Sequence, residues 1–164
     1  MTLASTKDGE AMVSKDRSKS AQEYERDYWR NMARTIAEGA ERDVDFYQWR
    51  SDQLIARLNT VGADNLTEGS ACTLEIGSGP IGISSFFPAT ERYALDPLEE
   101  FYEERRELTR LRDPDVNYMA GVGENLPWES DRFDLVIIEN CIDHVRDPDK
   151  VMAEIRRVLV PSGV

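Results

Sequence analysis

The sequence has few of the residues that metal sites and disulfide frameworks require. Its 164 residues include two cysteines, Cys72 and Cys141, and one histidine, His144. The cysteines lie far apart and form no Cys-x-x-Cys pair, which argues against a metal site and against a disulfide framework. Free cysteines are typical of proteins from a reducing compartment, so we expect a cytoplasmic protein.

Long apolar segments and an excess of positive charge are also lacking. No stretch approaches the roughly 20 apolar residues that span a bilayer, and residues 1–20 contain no apolar core of a secretory signal. The chain has 32 acidic residues against 20 Lys and Arg, a formal net charge of −12. Because nucleic-acid-binding proteins usually present a basic face, we expect no nucleic-acid partner. The lack of a long apolar stretch predicts no membrane span.

The composition divides the chain into three parts. Residues 1–20, rich in Ser, Lys and Asp, predict a mobile tail. Residues 21–70 predict an N-terminal helical extension and a polar linker, and residues 71–164 predict the main domain. The helices carry two apolar stripes, formed by Tyr24, Tyr28, Met32 and Ile36 and by Val44, Tyr47, Leu54 and Leu58. Their aromatic residues either pack on the main domain, or Tyr24, Tyr28 or Trp29 helps to cover a substrate pocket.

Strands and helices alternate in residues 71–164. Strands are predicted at ACTLEI, RYALD, VNYMAG and RFDLVIIENC, one helix follows Pro97, and another begins at Asp147-Pro148. The unbroken run FDLVII predicts a strand that is buried on both faces. This alternation indicates an α/β fold with a parallel sheet and right-handed crossovers.

A glycine loop and two acidic residues stand at the ends of the first two predicted strands. The loop Gly77–Gly82 lets the backbone approach a ligand, although Gly-x-Gly-x-x-Gly alone also fits a dinucleotide site or a tight turn. Glu75, just before the loop, would repel a pyrophosphate and suits a ligand with a charged amine. Asp96 can accept hydrogen bonds from ribose hydroxyls, or cap the helix at Pro97. Together these residues favour S-adenosylmethionine over NAD.

The combination of motifs resembles the class I S-adenosylmethionine-dependent methyltransferases. LEIGSGPIG resembles their first motif and YALDP their second, and the stretch from GVGENLPW to RRVLVPSG is similar to the methyltransferase type 11 subgroup, which includes ubiquinone and menaquinone biosynthesis enzymes. The resemblance implies a Rossmann-like parallel sheet with flanking helices, S-adenosylmethionine as cofactor, and methyl transfer to a small-molecule acceptor at O, N or C. The alternative is a non-catalytic methyltransferase-like domain that acts in binding or assembly.

The resemblance also implies which residues hold the methionine and ribose portions of the cofactor. Glu75 would meet the methionine amino group through water. The backbone of Gly77, Ser78 and Gly79 would lie against the methionine and ribose portions, and Asp96 would hold the ribose hydroxyls.

Further site residues follow from the later motifs of the family. Gly123 and Glu124 fall in the loop that lines the adenine, where Val122 replaces the usual acid. Asn140 would lie near the sulfonium. His144 is the candidate general base, with a structural or exposed histidine as the alternative.

The family's domain contains three further strands beyond the four predicted here. We therefore expect a truncated domain in which strands 1–4 are present and strands 5–7 are missing. The fourth strand, Phe133–Ile138, would then be an apolar edge through which the chain can self-associate.

Overall fold

A computed structural model of the protein describes residues 7–38, 44–67 and 69–164. The helices are α1 (Lys7–Ala37), α2 (Val44–Thr60), α3 (Glu99–Glu103), α4 (Arg106–Thr109) and α5 (Pro148–Val158). The strands are β1 (Cys72–Ile76), β2 (Glu91–Asp96), β3 (Val116–Ala120) and β4 (Leu135–Ile138). No helix within the described ranges is long and apolar enough to cross a membrane.

The four strands form one parallel sheet in the order β3-β2-β1-β4. The order confirms the predicted Rossmann-like α/β fold. The chain runs outward from β1 through β2 to β3, then returns to place β4 on the other side of β1. Ligands of such sheets bind at this switch point, outside the carboxyl ends of the central strands.

Both faces of the sheet are covered by apolar residues. On one face, Leu135 and Ile137 of β4 pack in a cluster that includes Leu58 of α2. On the other face, Val136 and Ile138 pack against a cluster formed in part by α5. This alternation explains why the β4 sequence is apolar at consecutive positions.

The N-terminal helix differs from the prediction in its start and in its buried face. It begins at Lys7, so residues 7–20 of the predicted tail are helical, and residues 1–6 lie outside the described ranges. The boundary predicted at residue 20 rests on composition alone. No proline precedes Pro80, so nothing in the sequence prevents the helix from starting earlier. Tyr24 and Tyr28 are 74% and 48% exposed.

The buried face of α1 keeps Met32 and Ile36 of the predicted stripe and adds Trp29 and Ala33. An α-helix has about 3.6 residues per turn, so residues spaced by four drift steadily around its surface. A stripe that alternates intervals of three and four stays on one face, and this is the face that packs against α3 and α4.

The segment after Pro97 forms two short helices instead of one. Arg105, which separates α3 from α4, has extended dihedral angles (φ −129°, ψ 86°). Leu98, Phe101 and Leu108 are nevertheless buried. Helix α5 begins as predicted, with Asp147 as its N-cap accepting the Lys150 N–H at 3.1 Å.

Strand β4 lies at one edge of the described sheet. Val164 runs beside it: the Val164 N–H donates to the Asp134 carbonyl at 3.0 Å, and the Val136 N–H donates to the Val164 carbonyl at 2.9 Å. These bonds cover the beginning of the outer edge of β4. Self-association through this edge stays a prediction.

Candidate active site

A cavity of about 530 Å³ lies at the carboxyl ends of β1, β2 and β4, between the sheet and helices α1 and α2. It brings together most of the residues that the sequence predicts for the site. The predicted residues that line it are Gly77, Ser78, Gly79, Asp96, Gly123, Glu124, Asn140 and His144. Glu75 is not among them.

Gly77 is the point where the end of β1 meets the loop after β4. Its φ is +73°, and a Cβ atom there would lie 2.5 Å from the Cys141 Sγ. The Cys141 thiol donates to the Ile76 carbonyl at 3.3 Å. Burial raises the pKa of Cys141 to about 12, so this side chain is a neutral packing group rather than a nucleophile. Only glycine leaves the backbone free to follow this path.

Asp96 joins the glycine loop to the segment that follows β2. Its Oδ2 accepts the Gly79 N–H at 2.9 Å, and its Oδ1 accepts the Leu98 N–H at 2.8 Å. The pKa of this carboxyl group is raised to about 6, mainly by burial and to a smaller extent by nearby Glu25 and Glu99. Each carboxylate oxygen has a second lone pair for a further donor. The N-cap of α3 is Leu98, so Asp96 supports that helix without being its cap.

Glu75 points away from the cavity. Successive residues of β1 face opposite sides of the sheet, and Leu74 and Ile76 face α5, so Glu75 lies on the other face. Its Oε1 accepts the Ile83 N–H at 3.0 Å and its Oε2 accepts the Ser84 N–H at 2.8 Å. Burial raises its pKa, and these two N–H groups lower it. The carboxyl group therefore shapes the turn behind the glycine loop, and its predicted contact with a ligand amine through water stays a prediction.

The glycine loop is held from behind by a buried ion pair. The Arg112 guanidinium donates to both carboxylate oxygens of Glu99, at 2.6 and 2.7 Å, and its Nε donates to the Pro80 carbonyl at 2.7 Å. The guanidinium also lies over the ring of Tyr118, 3.7 Å from its centroid. These contacts tie the loop to β3 and to α3.

The loop after β3 is linked to the start of α5. Glu124 accepts the N–H of Arg146 at 2.7 Å and that of Asp147 at 3.3 Å. A carboxylate is well placed at a helix N-terminus, where the backbone N–H groups have no helical partner. Val122, two residues before Glu124, also lines the cavity.

His144 lies between two carboxylates. Its Nδ1 is 3.7 Å from the Glu25 Oε1, and its Nε2 is 3.4 Å from the Asp143 Oδ2. The other oxygen of Glu25 accepts the Trp29 Nε1–H at 3.0 Å. Glu25 therefore brings α1 to the loop after β4. The sequence reasoning missed Glu25, although its spacing of four from Trp29 on one helix is a signal that could have found it.

A second ion pair connects α2 to the end of β4. The Nε and Nη2 of Arg50 donate to the Glu139 Oε2 at 2.9 and 2.6 Å. Both residues line the cavity. No local pattern could have predicted this pair, because the two residues are 89 positions apart. Within the described part of the chain, no group of His, Cys, Asp and Glu could hold a metal ion.

The fold and the site together define a nucleoside-binding α/β domain, with a glycine loop after β1 and a carboxylate after β2 at the switch point of the sheet. The family described as "Methyltransferase domain" matches residues 74–164, more than half of the chain. The chain therefore belongs to this methyltransferase family, as its motifs implied. S-adenosylmethionine is the cofactor that this family membership supports.

Individual relatives agree with the family. An uncharacterized methyltransferase of Schizosaccharomyces pombe is 27% identical over an alignment of 101 residues, and the match covers 55% of this chain and 36% of the relative. The ubiquinone/menaquinone biosynthesis C-methyltransferase UbiE of Vibrio vulnificus is 38% identical over an alignment of 58 residues, and the match covers 33% of this chain and 22% of the relative. The matches thus span about a third or less of these relatives' length.

A solved structure extends the likeness to the N-terminal helices. It is that of a Methanococcus maripaludis protein proposed to be an S-adenosyl-L-methionine-dependent methyltransferase, with a TM-score of 0.59 and 18% identity. The match covers 99% of this chain and 64% of that protein. At this identity the likeness concerns the fold.

Proposed function

We propose that this chain forms the S-adenosylmethionine site of an enzyme that transfers a methyl group to a small-molecule acceptor at O, N or C. The observation that carries the proposal is the hydrogen bond between Asp96 and the Gly79 N–H. It fixes a buried carboxylate beside a backbone path that admits no Cβ at Gly77. A nucleoside linked to an amino acid fits such a site, since its ribose hydroxyls can donate to the carboxylate and its amino-acid chain can lie against bare backbone.

The cavity residues divide the proposed cofactor among three loops. Asp96 would accept the ribose hydroxyls, and Gly77, Ser78 and Gly79 would contact the methionine and ribose portions. Gly123 and Glu124 would border the adenine. The Glu124 carboxylate, which accepts the Arg146 N–H just before α5, fixes the position of this loop. Asn140, which has a positive φ of 56°, would lie near the sulfur.

The other side of the cavity is the proposed acceptor site. Glu25 and Trp29 of α1 and Tyr47 of α2 line it opposite the sheet. The cofactor supplies a methyl group that is already activated by the positive charge on sulfur, so the protein has mainly to align the acceptor. His144 can take a proton from the acceptor's nucleophilic atom, with Glu25 beside its Nδ1.

The free cysteines Cys72 and Cys141 support the expectation of a reducing, cytoplasmic location.

Calorimetric titration of the chain with S-adenosylhomocysteine and, separately, with NAD tests the cofactor. We expect binding of the first and no binding of the second. Binding of NAD alone would overturn the proposal. Turnover is then measured as S-adenosylhomocysteine formation from S-adenosylmethionine with acceptors that present phenol, amine or activated carbon nucleophiles. Cofactor binding without turnover on any class would favour the non-catalytic alternative.

A further inference from the structure

Three cationic side chains line the cavity within the described residues, and they come from two parts of the chain. Lys150 belongs to the first turn of α5 and Arg146 lies just before that helix, next to Glu124 and the proposed adenine loop. Arg50 belongs to α2 and is bonded to Glu139, the residue just before Asn140. The cation at the end of β4 is therefore Arg50.

The amino-acid portion of S-adenosylmethionine carries a carboxylate. In a partly buried site such a charge is stabilised by a cationic donor, and a guanidinium matches a carboxylate well because its N–H groups form a planar fork. We propose that Arg50 binds the carboxylate of the cofactor's methionine portion. This assignment rests on the proposed function and adds a residue that lies outside the family match of residues 74–164.

The pairing with Glu139 leaves Arg50 able to bind a second carboxylate. Both bonds from Arg50 end on a single oxygen, Glu139 Oε2, and engage the Nε and Nη2 atoms. A guanidinium has five N–H donors, so the Nη1 group and one hydrogen of Nη2 remain for a second carboxylate. Glu139 also has Arg57 near its other oxygen, at 3.5 Å, so its charge stays compensated when Arg50 is shared.

Arg50 and Arg57 differ in a way that makes a matched comparison. Both belong to α2 and both approach Glu139, but the Arg50 side chain is 17% exposed and that of Arg57 is 71% exposed. Arg50 lines the cavity and Arg57 does not. Replacing either by methionine removes a cation beside Glu139, and only Arg50→Met removes it from the cavity.

The experiment compares the affinity for S-adenosylhomocysteine with that for its decarboxylated analogue by calorimetry. We expect the wild-type chain to bind S-adenosylhomocysteine about ten- to a hundredfold more tightly than the analogue, the range expected for hydrogen bonds to a charged group. Arg50→Met should abolish this difference by weakening S-adenosylhomocysteine alone, and Arg50→Lys should retain part of it. Arg57→Met should keep the wild-type difference.

The outcomes separate this assignment from the proposed function. Equal affinities of the wild-type chain for the two compounds overturn the assignment without any variant. A wild-type preference that survives Arg50→Met, or a loss of affinity for both compounds in equal measure, also overturns it, with thermal unfolding of the variant as the check on folding. If the wild-type chain binds neither compound, the cofactor proposal fails and the role of Arg50 fails with it.

Discussion

Binding of S-adenosylhomocysteine should depend on the ionisation of Asp96. Asp96 is 6% exposed. Its pKa is raised to about 6, mainly by burial and to a smaller extent by the carboxyl groups of Glu25 on α1 and Glu99 on α3. The N–H groups of Gly79 and Leu98 act in the opposite direction. Its titration therefore falls in a pH range where the protein can be studied.

Ribose hydroxyls that donate to Asp96 favour its ionised form. Bound ligand thus lowers the pKa of Asp96, and by linkage the affinity rises with pH through about 6 and levels off above it. On the acid side the affinity should fall by up to tenfold per pH unit, so that binding at about pH 5 is about tenfold weaker than at about pH 7.5. Asp96→Asn removes the ionisation and should weaken binding at about pH 7.5 by about 1.5–3 kcal/mol.

Calorimetry of S-adenosylhomocysteine between about pH 5 and pH 8 measures this dependence. We expect a sloping profile for the wild-type chain and a flat one for Asp96→Asn. A wild-type affinity that is constant across this range would refute the role of Asp96. A slope that persists in Asp96→Asn would assign the titration to another group.

The ionisation of Asp96 should also make the free energy of unfolding of the ligand-free chain depend on pH. The pKa of Asp96 is higher in the folded state than its ordinary value of 3.8, so the folded state binds the proton more readily. The contribution to the free energy of unfolding is therefore largest below pH 3.8 and falls by about 3 kcal/mol as the pH rises through about 6. Asp113 and Glu154 have lowered pKa values and oppose this trend at more acid pH. Glu75, whose pKa is also raised by burial, acts in the same direction as Asp96. Asp96→Asn should therefore lose part of the decrease between about pH 4 and pH 6 in urea unfolding.

Three further predictions concern the loop, the proton acceptor and the sheet edge. Gly77→Ala should lower the free energy of unfolding by more than backbone strain alone, which costs about 1–3 kcal/mol, because the added Cβ clashes with Cys141. Gly62→Ala is the control for strain alone, since Gly62 has a φ of +76° and no neighbour within 4 Å. Equal losses of stability in the two variants would contradict the clash. His144→Ala should lower kcat by about 10²–10⁴ and leave the affinity for S-adenosylhomocysteine unchanged; wild-type turnover would make the histidine structural. The chain should self-associate through β4 in light scattering with rising concentration, and a monodisperse monomer would show that the edge is protected.

The sheet could be predicted because each of its signals is local. A strand, a glycine turn and a helix follow one another within short segments, so the order of β1 to β4 and the N-cap at Asp147 could be inferred from neighbours in sequence. Gly77 and Asp96 reach the cavity for the same reason: parallel strands end at one edge of the sheet, and residues just after them meet there.

The structure adds to the prediction where a side chain could take either of two faces. The apolar residues on either side of Glu75 face α5, so its carboxylate lies on the opposite side of the sheet. Its contact with a ligand amine through water stays a prediction. In α1, the exposed Tyr24 and Tyr28 were counted in the apolar stripe because spacing alone does not show which neighbours a helix meets. Pairs such as Arg50 and Glu139 depend on tertiary packing, which a reading of local pattern cannot supply.

The division of the cavity between two parts of the chain bears on how its specificity is determined. Asp96, the glycine loop and Glu124 all lie within residues 74–164, the range that matches the family. Glu25, Trp29, Tyr47 and Arg50 lie outside that range and line the opposite wall. Substitutions on α1 and α2 can therefore reshape the proposed acceptor site while leaving the Asp96–Gly79 bond intact. If Arg50 binds the cofactor carboxylate, α2 also serves cofactor binding, so a change of acceptor would tolerate substitutions at Glu25 or Tyr47 more readily than at Arg50.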